Sequence, residues 1–247
     1  MNAEPSTSPA ARRRARVHAA ALAVVVAAVG VAAGCTAAGT GLTSGPAPHS
    51  PATGPSYTVP AGVADLGAGF LGENTAPTPA ATLNPEPGSW DGVEPPAGYS
   101  IAVISRGTDA ATQTIVSAVK SWGSAHAVTV TELPATTDDD VEDRIDQAVA
   151  AGPNLVVGAG APVVDVFSLI TSQYLEQQFL VVGAELPEPT DNVTAVVWPG
   201  ATFRGTGLGD SAGIDDTSVT PARSAQAVSA GVASVVHGIR GYVLFLQ

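Results

Sequence analysis

From Tyr99 to Leu246, short continuous apolar runs alternate with helical stretches, and this alternation constrains the fold more than anything else in the chain. The runs are Ser100 to Ser105, Val128 to Leu133, Asn154 to Gly158, Phe179 to Gly183, Val193 to Trp198 and Gly241 to Leu246. Most are apolar throughout, with little regular polar alternation, so they predict strands buried on both faces, as in a parallel sheet. Between them, Asp109 predicts the N-cap of a helix that turns Ile115, Val116, Val119 and Trp122 inward. Asp138-Asp139-Asp140 open a second helix, a negative first turn favoured by the helix dipole, and Gly152-Pro153 stop it after Ala151. Pro162 opens a third helix with Val163, Val166, Phe167, Ile170 and Tyr174 on its inner face. A polar, glycine-rich loop from Gly200 to Val219 precedes a fourth, small-residue helix that begins at Thr220-Pro221 and ends near Gly238. Strands alternating with helices through right-handed crossovers predict an α/β fold, a three-layer α/β/α sandwich on a mostly parallel sheet, over residues 98–247.

The preceding part reads differently. Eleven of the 20 prolines fall between Pro46 and Pro96, and no lysine or arginine occurs from Thr36 to Pro96. Proline keeps interrupting any helix there, so residues 35–97 are expected to form a disordered tether, with Val63 to Leu71 the stretch best suited to dock on the domain. At the start, Arg12, Arg13, Arg14 and Arg16 precede an apolar run from Ala19 to Ala33. That run is too short for a comfortable membrane span and has the layout of a secretory signal. It ends in Val31-Ala32-Ala33-Gly34-Cys35, which resembles a bacterial lipobox. The expectation is a signal peptide over residues 1–34 and a lipidated Cys35. Two or three acyl chains, palmitate among them, would hold the chain stably on the extracytoplasmic face of the cell membrane. Nine of the ten basic residues are arginine, a usage associated with GC-rich bacterial genomes.

The chain has a net charge of −12. Losing residues 1–34 would remove four arginines and Glu4 and make it more acidic still. Such a balance argues against nucleic acid as a partner, and repulsion from anionic headgroups would leave attachment to the lipid. A single cysteine excludes an internal disulfide and a Cys-rich zinc site. Gly158-Ala159-Gly160-Ala161-Pro162 lacks the third glycine of a dinucleotide loop and reads as a strand-to-helix turn. Neither a P-loop nor a GxSxG elbow occurs. Neither an enzyme nor a cofactor is expected.

In sheets of this kind ligands sit beyond the carboxyl ends of the strands, here Ser105 to Asp109, Gly158 to Pro162, Gly183 to Glu185 and Trp198-Pro199. The stretch from Ala148 to Glu185, "AVAAGPNLVVGAGAPVVDVFSLITSQYLEQQFLVVGAE", and then "NVTAVVW" follow a familiar order of helix, strand, Gly-x-Gly loop, helix and two strands. That order resembles the first lobe of the basic membrane protein (BMP) family, lipid-anchored substrate-binding components of ABC importers with a type I periplasmic-binding fold. The resemblance implies a nucleoside-type solute and an importer permease as partners. It also implies a pocket built from Thr108, Asp109, Gln113, Gly160, Glu185 and Trp198, and Trp198, at a strand end, reads either as a stacking surface or as a core or edge tryptophan covered by the following loop. Three residues depart from the family pattern. Asp109-Ala110-Ala111-Thr112-Gln113 carries Thr112 and Gln113 where the family has Phe-Asn, and Gly183 stands where it has a ribose-binding aspartate, with Glu185 two residues on. The likeness covers one lobe of a two-lobed clamp, so the expected binding protein is degenerate or truncated. The alternative expectation is a non-catalytic protein-interaction module at the cell surface that has lost its ligand and meets a partner at the sheet's carboxyl edge.

Overall fold

The computed structural model describes residues 57–206 and 214–247. The expected leader, Cys35 and the first part of the tether lie outside the described residues. Seven strands form one sheet: β1 (Thr82–Leu83), β2 (Ser100–Arg106), β3 (Thr129–Ala135), β4 (Leu155–Ala159), β5 (Phe179–Val182), β6 (Val193–Val197) and β7 (Val243–Phe245). Their spatial order is β1-β7-β6-β5-β4-β2-β3, and every pair is parallel. The helices are α1 (Ala110–Ala125), α2 (Asp138–Ala151), α3 (Val164–Ile170) and α4 (Pro221–Val236). Among the described residues no helix is long and apolar enough to cross a membrane.

The apolar runs give this sheet two buried faces. Ile101, Val103, Val157, Leu180, Val182 and Val196 point to one side and pack with Ile115, Val119 and Trp122 of α1 and Ala227, Val228 and Val232 of α4. Their neighbours Ala102, Ile104, Val156, Phe179 and Val181 point to the other side, against Val141 and Ile145 of α2 and Phe167 of α3. The result is the expected three-layer sandwich.

Polar contacts fix where the helices begin. The Asp109 carboxylate accepts from the Thr112 N–H at 2.8 Å and caps α1. Thr137 and Asp140 form a reciprocal capping box at the head of α2, an arrangement that satisfies two otherwise orphaned backbone donors. The Asp140 carboxylate accepts from the Thr136 hydroxyl and from the N–H groups of Thr136 and Thr137, and these bonds hold its pKa down from 3.8 to about 2. The third helix differs from the sequence expectation. Pro162 sits in a single 3-10 turn, Ala161–Val163, before α3 begins, and a second 3-10 turn, Thr171–Gln173, follows it.

The expected tether needs a larger correction. Over residues 57–97 the chain is packed onto the domain. Phe70, Leu83, Trp90 and Val93 are buried in the α1–α4 layer, and Val63, Leu66 and Leu71 pack against it. Residues 82–83 add the seventh strand, pairing with Val243 and Leu244. The physical reason lies in α4. Its second half is buried on all sides, from Ala230 to Val236, and a helix apolar all round needs a cover beyond the sheet. The strap formed by residues 57–98 packs in the same layer as α4 and helps to provide that cover.

Candidate functional site

The carboxyl edge of the sheet holds a cavity of about 200 Å³. Its walls are the first turn of α1, the turn after β4, the end of β5 and the loop after β6. Two glycines leave it room. Gly160 has φ +76°, and a Cβ there would lie 3.5 Å from Ile115 Cδ1 and 3.8 Å from Thr112 Oγ1. Gly183 has φ +81°, and its Cβ would come within 3.0 Å of Ile115 Cδ1 and 3.3 Å of Trp198 Cη2. Side chains at either position would strain the backbone, and one at Gly183 would also crowd Ile115 of α1.

Residues 199–206 and 214–219 roof the edge. Trp198 Nε1 donates to Ser218 Oγ at 3.1 Å, and the Asp215 N–H donates to the Gly200 carbonyl at 2.8 Å. The Asp165 carboxylate of α3 accepts from the Thr206 N–H and hydroxyl, both at 2.9 Å. Arg204 Nε donates to Glu185, whose side chain is only 4 % exposed. The Asp215 carboxylate accepts from the Thr217 hydroxyl and N–H, and these bonds lower its pKa, the hydroxyl contributing most.

A shallower depression of about 450 Å³ adjoins the cavity, lined by Arg106, Thr136, Asp165 and Thr206, and the two share Pro162 and Phe203. Arg106 is already engaged: its Nη1 lies 2.9 Å from Asp138 Oδ1 and donates to the Pro162 carbonyl at 2.9 Å.

The six residues singled out from the sequence scatter around this edge. Asp109 and Gly160 line the cavity. Thr108 is exposed in the turn beside it. Gln113 lies elsewhere, on the outer side of α1, where it lines a groove of about 630 Å³ between α1 and α4. One residue along a helix is a rotation of about 100°, so α1 presents Thr112 to the cavity and Gln113 to the groove. Glu185 and Trp198 are buried beneath the roofing loop, at 3 % and 1 % exposure, and Trp198 offers no open stacking face. Two residues not chosen from the sequence line the cavity instead. Phe203 is half-buried between the two depressions, and Thr112 is buried with its hydroxyl unpartnered. Phe203 is the one aromatic residue between Pro199 and Val219, a signal available in the sequence.

Asn192, the first residue of a glycosylation sequon by pattern, is 2 % exposed. Its amide donates to the carbonyls of Thr171, Tyr174 and Gln177, so it ties α3's end to the head of β6. Among the described residues no cluster of three or more His, Cys, Asp or Glu is placed to hold a metal ion.

No family profile and no curated protein sequence matches the chain. Similar solved structures include an ABC transporter solute-binding protein from Aeropyrum pernix K1, 19 % identical, with a TM-score of 0.37 over 41 % of this chain and 29 % of that one. Another is the ABC transporter solute-binding protein from Conexibacter woesei DSM 14684, 17 % identical, with a TM-score of 0.35 over 41 % of this chain and 36 % of that one. A third is a transcriptional activator of the comK gene from Bacillus halodurans, 22 % identical, with a TM-score of 0.36 over 41 % and 35 %. The chain thus spans about a third of the length of each of these proteins. Transporter components and a transcriptional activator share this likeness, which is too slight to bear on what the present chain binds.

Proposed function

We propose that the protein is an extracytoplasmic lipoprotein, anchored through Cys35, whose α/β domain binds a small solute at the carboxyl edge of its sheet. One observation carries the solute reading: the cavity beside the head of α1, with glycines at two of the strand ends that bound it. The lipobox-like Val31 to Cys35 supports the anchor, and the order of elements, similar to the BMP family, supports an importer as the partner. The nucleoside implied by that resemblance is less well supported. A cavity of about 200 Å³ falls below the usual range of roughly 300–1,000 Å³ for larger ligands. The position that would carry the stacking aromatic is Thr112, and Glu185 is held by Arg204.

Calorimetric titration of the purified chain with nucleosides and with smaller solutes tests the binding. Heats are expected from a solute of about ten heavy atoms or fewer, and flat traces throughout would remove the transport reading. Labelling cells with alkynyl palmitate tests the anchor, with signal expected from the native chain and lost in Cys35→Ser.

The second reading, a cell-surface interaction module, is favoured by the groove between α1 and α4. Ala110, Thr114, Ser117, Ser121 and Ala125 line it, and α1 carries a single charge, Lys120. Under that reading cross-links from Ser117→Cys would capture a protein partner, and no solute would bind.

A further inference from the structure

The geometry points to a small organic cation, an ammonium group on a compact hydrocarbon body, as the solute class of the carboxyl-edge cavity. The inference rests on reading that cavity as a solute site and goes on to its chemistry. The walls are largely apolar, with Ile115, Pro162, Phe203 and Val219 among them. Among the described residues the charged groups lining the cavity are Asp109 and Asp216, two exposed carboxylates. Nearby cations are committed elsewhere: Arg106 to Asp138, and Arg204 to Glu185. Arg204 is also the only basic residue in the sequence between Pro199 and Val219. An anion entering here would meet two carboxylates in the lining, and the Arg223 guanidinium, which donates to the Pro199 carbonyl at 3.4 Å, is not among the lining groups.

Two further features suit an ammonium group. Thr112 is 1 % exposed, and its hydroxyl, beside Gly160, has no hydrogen-bond partner. A buried polar atom left unpaired is costly, and a ligand that supplies donors relieves that cost. An ammonium has three N–H donors to share between such a hydroxyl and a carboxylate. Phe203, half-buried in the wall, adds an aromatic ring whose face attracts a cation. Asp109 also offsets the positive field of the α1 N-terminus, which would otherwise repel the ligand. The size of the cavity sets the limit on the hydrocarbon part.

A matched series separates charge from shape: cyclohexylammonium, cyclohexanol and cyclohexanecarboxylate, titrated into the full chain by calorimetry. Cyclohexylammonium is expected to bind about three- to tenfold tighter than the alcohol, the range for partly exposed carboxylates with a cation–π contact. The carboxylate is expected not to bind. Asp109→Asn and Asp216→Asn should each lower the ratio of ammonium to alcohol affinity. Asparagine caps a helix about as well as aspartate, so a normal thermal melt for Asp109→Asn verifies that α1 is intact. Equal binding of ammonium and alcohol, or tighter binding of the carboxylate, would overturn the charge inference and leave a solute cavity standing. Absence of binding by all three, with heats from a different solute, would overturn the inference alone. Absence of binding by every solute tried would sink the cavity reading with it.

Discussion

The strap over residues 57–98 and the loop from Pro199 to Val219 look alike in sequence, both rich in glycine and poor in regular periodicity, yet they are held in different ways. The strap is fixed by burial. Phe70, Leu83, Trp90 and Val93 enter the main core, and residues 82–83 extend the sheet. Among the described residues, the loop is held by polar contacts, Trp198 with Ser218, Asp165 with Thr206 and Glu185 with Arg204, alongside the packing of Ala201, Phe203 and Val219. Fully burying a large apolar side chain contributes about 1.5–3 kcal/mol, whereas a single hydrogen bond nets about 0.5–1.5 kcal/mol. The strap is therefore part of what makes the domain fold. The described ends of the loop rest on individual contacts that are each smaller in free energy.

The largest effect is expected in the strap. Trp90 is 7 % exposed, and Trp90→Ala should destabilise the chain by about 3–5 kcal/mol in urea unfolding. A loss below about 1 kcal/mol would mean that the strap rests on the surface, and the contrast with the loop would disappear.

An intermediate effect is expected at the roof. Arg204→Ala leaves Glu185 buried at 3 % exposure without its cation. Removing one partner of a fully buried pair costs about 3–5 kcal/mol. Because the Arg204 side chain is 58 % exposed, solvent screening reduces the expected cost to about 1–3 kcal/mol. The double variant Glu185→Gln with Arg204→Ala should recover part of that loss, which a double-mutant cycle measures. If the single variant is as stable as the parent, the ion pair does not hold the roof.

How much of this was readable in advance follows the same contrast. Most of the strands and α2 were legible because buried parallel strands are continuous apolar runs and because Asp138-Asp139-Asp140 and Gly152-Pro153 mark a helix start and stop in local chemistry. β1 was not legible. Two residues carry no periodicity, and Phe70, Trp90 and Val93 are spaced without a repeat, so their burial comes only from the tertiary surface of α4 and the sheet. At the site, the turn glycine Gly160 and the cap Asp109 were readable for the same local reason. The burial of Trp198 and Glu185 was not legible, because the fate of a strand-end side chain depends on where the following loop lies, and no local pattern encodes that. Gln113 lies one step around α1 from Thr112, which lines the cavity, and that helix register is set by the capping aspartate.

The smallest expected effect concerns acid. The Asp215 carboxylate is held below its ordinary 3.8 by the Thr217 hydroxyl and N–H. A carboxylate whose pKa is depressed in the folded state contributes stability above its unfolded pKa and loses it as pH falls through the folded value. Acidification from pH 5 to below 4 should therefore loosen the 3-10 turn Asp216–Ser218, which holds Ser218 against Trp198. Asp140 has the same sign, with its folded pKa at about 2, but belongs to the head of α2, so the whole-chain melt mixes the two groups. Asp215→Asn isolates the roof, since asparagine keeps an acceptor for Thr217 and does not titrate. The variant should lose less melting temperature than the parent between pH 5 and pH 3, and in a Trp90→Phe, Trp122→Phe background its Trp198 fluorescence should change less. Equal losses in the two proteins would mean that the roof is held by packing, as the strap is, and that carboxylate contacts at its tip are incidental to it.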